Sequence, residues 1–284
     1  MKTYKEIFES LEELNEKLIT FSGKAYPKFG NVVIMAGGAG SGKGFIKSNL
    51  IGLEGANFDV DELKTLAVKS DKIEQRVKDE MGIDFTELRK QGALKNPENV
   101  ALLHDIVGTV LKLDDKKKET IFKSILVADM DRKPNLIFDV TLRSISKLAN
   151  LSRALLKIGY DPKNIHIVWV INDIEVAKTQ NLKRSRTVPV EILVNTHRGV
   201  SQTMNDLLSM GKEITKYMDG DIVFAFNKVN VDAALVKSTS GGHYLKDAAY
   251  FYVKKSGKLV TSPDKLSDEI KMKIRNYVPK EVQW

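Results

Sequence analysis

The sequence predicts an α/β fold, a parallel sheet covered by helices on both faces, and three observations carry that prediction. Short apolar runs alternate along the chain with segments of helical period. Two of those runs end in acids, Asp59 and Asp139, and another ends in a glycine cluster, so the polar chemistry gathers where open α/β sheets bind ligands. The 284 residues, 42% of them hydrophobic, suffice for one full core and a substantial insertion.

The elements follow in order. Tyr4, Ile7, Phe8, Leu11, Leu14 and Leu18 recur at helical spacing with acids between them, so residues 1–24 read as an amphipathic helix that packs on the core or on a protein partner. "GNVVIMAGG" is a buried strand ending in glycines, and Phe45 to Ile51 continue as a helix. "EGANFDVDELKTLAV" is a second strand ending at Asp59, then a helix with Asp61 and Glu62 in its first turn, where the helix dipole favours negative charge. Residues 62–133 are charged and mostly helical, far longer than a crossover needs, and form a helical insertion within a core spanning 25–230. "PNLIFDVT", "NIHIVWVIND" and "GDIVFAFNKV" supply three more strands, the first followed by the helical series Ile145, Leu148, Leu151 and Leu155. Residues 231–284 read as an extension. There "AAYFYVKKSGKLV" suggests a hairpin turning at Ser256-Gly257, and Leu266, Ile270, Ile274 and Tyr277 suggest a closing helix.

Composition narrows the function. No apolar run reaches the ~18 residues of a membrane span, and "MKTYKEIFESLEELNEK" is too charged for a signal peptide, so a cytoplasmic protein without a membrane partner is expected. The chain has no cysteine, which excludes disulfide and thiolate chemistry, and its four histidines are too scattered for a structural zinc site. Lys plus Arg number 45 against 37 Asp plus Glu, a net charge of +8. That balance suits anionic partners such as nucleotides or nucleic acid, and equally a solvated lysine-rich surface.

The stretch "GGAGSGKG" carries the strongest signal, with five glycines in eight residues. Gly37-x-x-x-x-Gly42-Lys43 has the spacing of a phosphate-binding loop, placed after a strand and before a helix as that motif requires. Glycines let backbone N–H groups approach phosphates closely, the helix start adds positive potential, and Lys43 reaches the outer phosphates. The nucleotide-binding set is therefore Gly37, Gly38, Ala39, Gly40, Ser41, Gly42, Lys43, Gly44 and Phe45. Gly44 stands where a Ser or Thr usually ligates Mg²⁺, so metal binding here leans on carboxylates and water. The loop resembles the adenylate kinase form, in which Gly also follows the lysine, although Phe45 replaces the next Thr of that family.

Asp59 ends one strand and Asp61 begins the next helix, so both can face the loop, one holding metal-bound water and the other accepting a proton. A helix cap is the alternative for Asp61, and a strand-end turn for Asp139. Arg143 follows Asp139 by four residues, and Arg184, Arg186 and Arg198 flank "TVPVEILVNTH". Their donor forks match phosphoryl oxygens and suit a lid. His197 has no evident partner, and His104 and His166 read as packed residues.

Together "GGAGSGKG", "NFDVDELK", "NLIFDVTLRSISKLANLSRALLKIGY" and "RSRTVPVEILVNTHR" resemble the zeta-toxin family of P-loop kinases, grouped with the polynucleotide kinases. Where that family has Glu followed by Gly-Thr-Leu-Arg, this chain has Asp139-Val140-Thr141-Leu142-Arg143. The resemblance covers Asn31 to Leu208 and implies a P-loop kinase-type sheet, ATP and Mg²⁺ as cofactors, and a hydroxyl-bearing small-molecule acceptor such as a nucleotide sugar. It implies that Lys43, Arg184 and Arg186 contact phosphates, that Asp59 and Asp61 supply base and metal support with Asp59 on the metal, and that Asp139, Thr141 and Arg143 serve the acceptor. Three alternatives stay open: a kinase acting on a nucleic-acid hydroxyl (a 5′ end or a hydroxymethylated base), a nucleoside monophosphate kinase, and a non-catalytic nucleotide-binding protein that docks through its N-terminal helix. An antitoxin-like partner is a further open point.

Overall fold

The computed structural model describes residues 29–53, 55–126, 132–184, 186–237 and 243–284. The amphipathic helix expected over 1–24 lies outside them.

Six strands form one sheet: β1 (Val32–Ala36), β2 (Ala56–Asp59), β3 (Leu136–Asp139), β4 (Ile165–Ile171), β5 (Ile222–Phe226) and β8 (Tyr250–Lys254), in spatial order β2-β3-β1-β4-β5-β8. The first five are parallel and β8 is antiparallel to β5. All residues of β1 and β4 are buried, as a parallel sheet with helices on both faces requires.

Alternation of side chains divides the core. On one face Val32, Ile34, Phe138, Ile167, Trp169 and Phe224 meet Leu148 and Leu155 of α7 (Ile145–Lys157) and Val200, Met204 and Leu207 of α9 (Val190–Ser209). On the other, Val33, Met35, Ile137, Val168 and Val223 meet Ile46 of α1 (Lys43–Asn49).

The insertion is helical, as expected. It contains α2 (Val60–Lys69), α3 (Asp71–Met81), α4 (Thr86–Arg89), α5 (Pro97–Asp105) and α6 (Leu113–Leu126), with a π-helical turn at Ile106–Val110. Val77, Phe85, Leu103, Ile106 and Leu111 give it a core of its own.

The C-terminal part departs from the expected hairpin. The chain does turn at Ser256-Gly257, where Gly257 takes φ 72°, and Thr261 N–H returns to donate to Val253 O at 2.7 Å, but no strand follows. β8 completes the main sheet on the free edge of β5 instead, while β6 (Ala233–Lys237) and β7 (His243–Ala248) pair separately. An edge strand with open hydrogen-bonding groups is a stronger template than a short exposed return. α10 (Asp268–Tyr277) closes the core, burying Ile274 and Tyr277.

Candidate functional site

Because the chain leaves β1 toward β2 and β3 but places β4 on its other side, the strand order reverses beside β1. Ligands of such sheets bind at that reversal, outside the carboxyl ends of the strands. The loop 37–42 begins there, directly after Ala36.

The loop wraps tightly into α1. Gly40 has φ 73° and Gly42 φ 86°, and a Cβ on Gly40 would stand 2.4 Å from Ala177 O, so both positions demand glycine. Lys43 opens α1 and turns back across the loop, donating to Gly37 O at 3.0 Å and Gly38 O at 3.4 Å, with Asp139 Oδ1 3.6 Å from Nζ. Gly44 is different: a Cβ there would meet nothing within 4 Å. No steric demand explains that glycine. Phe45 turns into the apolar cluster around Ile46 instead of facing the loop, and Ser41 is buried with its hydroxyl against Gly37.

The register brings the strand-end acids together. Asp59 of β2 pairs in register with Asp139 of β3, and Asp139 with Met35 of β1. Asp139 shares its face with Ile137, so both residues stand on the α1 side of the sheet, where Asp139 lies beside Lys43. Asp61 lies in the first turn of α2, and its side chain falls outside what the structure describes. Thr141 and the exposed Arg143 follow β3 in the loop leading to α7.

The arginine segment is placed by two helices. α8 (Ile174–Lys183) carries Ala177 against the loop and α9 carries Thr196 and His197 against it, so residues 184 and 186–189 lie in the turn between them. Seven residues of helix on either side set that turn about 10 Å beyond the loop. Asn181 fixes it from the core, donating to Val188 O at 2.7 Å and accepting from Val188 N–H at 3.0 Å. From the insertion, Leu94 O accepts from Thr187 N–H at 3.1 Å, and Lys95 O from the Thr187 hydroxyl at 2.9 Å. Arg186 is buried and Arg184 half-buried within it. Arg198, one position past His197, instead faces Glu281 at 3.4 Å.

Sequence reasoning missed the residues that grip the loop from outside. Asn227, just past β5, donates to Ser41 O at 2.8 Å, and Asn172, just past β4, reaches Gly40 O at 3.4 Å. Ala39 N–H donates to Thr196 Oγ1 at 3.1 Å, and His197 Nε2 lies 2.8 Å from Ala39 O. Burial pushes the His197 imidazole down to about 4; the Lys43 charge acts the same way, and the Ala39 carbonyl acts against both. The ring is therefore neutral and donates to that carbonyl through Nε2–H. Beside this belt, Lys228 Nζ and Asp173 Oδ2 pair at 2.7 Å. Burial alone would raise the Asp173 carboxyl, but Lys228 and the N–H groups of Val176 and Glu175 outweigh it and hold the group below its ordinary value. The one legible signal was an asparagine directly after each of two strands that are apolar but for His166.

Among the described residues no group of three or more His, Asp or Glu is placed to hold a metal ion. A cavity of about 490 Å³ opens in the insertion, lined by the apolar Leu63, Leu66, Ala67 and Ile73 together with Ser70, Thr120, Lys116 and Lys117. It runs along α2, the helix that starts directly after Asp59. No described helix is long and apolar enough to cross a membrane.

No protein-family model and no curated protein matches the chain. Among solved structures, it is similar to one from the PezAT chromosomal toxin–antitoxin system of Streptococcus pneumoniae, at 15% identity over 78% of this chain and 77% of that one, with a TM-score of 0.41. It is also similar to the AvrRxo1-ORF1:AvrRxo1-ORF2 complex with sulphate ions, at 12% identity over 97% of this chain and 79% of that one, with a TM-score of 0.43. The AvrRxo1 complex with ATP gives 9% identity, 96% and 79% coverage, and a TM-score of 0.40. Scores of this size leave the activity to be read from the site itself.

Proposed function

We propose that this protein is an ATP-dependent kinase of the zeta-toxin-like kind, transferring the γ-phosphoryl group to a hydroxyl of a small molecule. The observation that carries the reading is Lys43 set between a glycine loop and Asp139, with Asp59 in register beside that acid. A site that only bound nucleotide would need the loop and lysine; two strand-end carboxylates facing them are what transfer to a hydroxyl adds.

In this reading the loop amides and Lys43 hold the outer phosphates, and Arg184 and Arg186 approach from the lid. Asp61 takes the acceptor's proton as its oxygen attacks the γ-phosphorus, and the bond to the leaving ADP oxygen breaks. Asp139, Thr141 and Arg143 orient the acceptor. The donor set fits Mg²⁺ held largely through water: Asp59 is a hard oxygen ligand, Gly44 brings no hydroxyl, and Ser41 is buried with its hydroxyl against Gly37. The ion would supply charge neutralisation between the phosphates. The insertion forms the acceptor wall, and its mainly apolar lining with two lysines suits a compact molecule bearing both apolar and anionic parts.

The test is thermal. ATP with Mg²⁺ raises the melting temperature of the wild type, and Lys43→Ala removes most of that shift. An unchanged shift in the variant sinks the loop assignment. The net charge of +8 favours a second reading, transfer to a nucleic-acid hydroxyl. That reading requires activity that collapses between low and physiological salt, whereas a small acceptor tolerates the change.

A further inference from the structure

We propose that Thr196 and His197 of α9 are positioning residues for the phosphate loop, fixing the Ala39 peptide so that the loop is shaped for a triphosphate before one arrives. The inference rests on reading that loop as the triphosphate site.

Both backbone polar groups of one residue, Ala39, are taken by consecutive side chains of a single helix, which fixes the two successive peptides that flank it. The Ala39 N–H goes to Thr196 Oγ1 at 3.1 Å, and the Ala39 carbonyl takes its hydrogen bond from His197 at 2.8 Å. Thr196 cannot turn to another role without loss. Its own hydroxyl proton is spent on Leu193 O at 2.7 Å, which aims the oxygen's free lone pairs at the loop. The imidazole meanwhile lies flat against Gly38, where a Cβ would stand 2.2 Å from the ring carbon Cδ2. Thr196 and His197 are 9% and 4% exposed, so water cannot replace either partner if it is removed.

The helix that does this is itself fixed. Leu193, Val200, Met204 and Leu207 are buried along it, which holds the register of the two polar residues between them. One turn on, Gly199 lies against the Arg143 side chain, where a Cβ would stand 3.2 Å from the arginine Cβ and Cγ. The same rigid element therefore sets the loop peptide and the arginine on the acceptor side. With the Ala39 N–H committed to α9, the phosphates fall to the remaining loop amides and Lys43.

The test compares Thr196→Val, which keeps shape and removes the acceptor oxygen, with Thr196→Ser, which restores it. ATP–Mg²⁺ dissociation constants are measured by direct titration, alongside the far-UV circular dichroism of each nucleotide-free variant and the split between KM for ATP and kcat. Thr196→Val should weaken ATP about 10-fold and act mainly on KM, and Thr196→Ser should return to within about 2-fold of wild type. Should Thr196→Val fail to fold, His197→Gln against His197→Leu makes the same comparison, since the glutamine amide replaces the Nε2–H donor and leucine does not. Wild-type affinity in Thr196→Val or His197→Leu, or a serine variant as weak as the valine one, overturns the proposal. Lys43→Ala is titrated in parallel: unchanged ATP affinity there removes the triphosphate reading itself, whereas its loss beside an intact Thr196→Val removes only the positioning role.

Discussion

The loop at the crest of the sheet and the cavity in the insertion are built on opposite plans. Around Gly37–Gly42 each backbone carbonyl has a designated partner, from Asn172, His197 and Asn227 outside the loop and from Lys43 and the Ile46 N–H within it, and Thr196 takes the Ala39 N–H. The cavity beside α2 is lined mainly by leucine, alanine and isoleucine, with Ser70, Thr120 and two lysines among them, and Leu66 in its lining is 54% exposed. A site that must bind the same phosphates in every turnover gains from a fixed set of donors, since ordering them in advance leaves less to order on binding. An apolar wall fixes shape and little else. On the function proposed above, the nucleotide half of the site is thus specified atom by atom, and the acceptor half by volume and character.

The acids between the two regions give the largest expected effect. Asp61→Asn should lower kcat roughly 100-fold or more while leaving ATP affinity nearly unchanged, as removal of a general base does. Asp59→Asn should instead raise the Mg²⁺ concentration needed for half-maximal rate. Equal, mild losses from both would return Asp61 to the role of a helix cap and dissolve the division of labour.

Acid should sharpen the contrast from the loop side. His197 has its pKa lowered from 6.5 to about 4, so its share of stability is complete above pH 6.5 and is lost as pH falls through 4. That difference corresponds to about 3 kcal/mol. Melting temperatures recorded from pH 7 to pH 4 should fall more steeply for wild type than for His197→Gln, which has nothing to protonate there. Parallel curves would mean that the imidazole is not held as the structure has it.

How far the sequence carried can be judged on these same regions. β1, β3, β4 and β5 were legible because each is a mostly apolar run able to cross a buried sheet, and the loop because its glycine spacing has few other uses. Thr196 and His197 were not, because they reach Ala39 across more than 150 positions of chain and sit within an ordinary amphipathic helix. The pairing of β8 with β5 was not legible for a related reason: alternation shows that a strand has one covered face but not which neighbour it pairs with. Asp59 and Asp139 could be placed at strand ends from sequence, yet their shared register, which makes them neighbours, belongs to the sheet.

Leu66→Asp probes the other region. A carboxylate in the cavity lining should raise KM for the acceptor about 10-fold with KM for ATP unchanged, because it places charge where the acceptor's apolar part rests. A change in both constants would join the cavity to the nucleotide half. Gly44→Ser should do least. With open space around that position the serine should leave ATP affinity within about 2-fold and lower the Mg²⁺ requirement slightly by restoring a hydroxyl; loss of ATP binding would show a packing demand at Gly44 that its surroundings do not reveal.

The most direct measurement is transfer itself. The protein is incubated with Mg²⁺ and ATP labelled at the γ-phosphoryl group, with a pool of hydroxyl-bearing small molecules and, separately, with DNA and RNA, at low and at physiological salt. The account predicts label on a small molecule, persisting at physiological salt and lost in Lys43→Ala. Label confined to nucleic acid and vanishing as salt rises, or ATP bound with no label transferred to any acceptor, would contradict it.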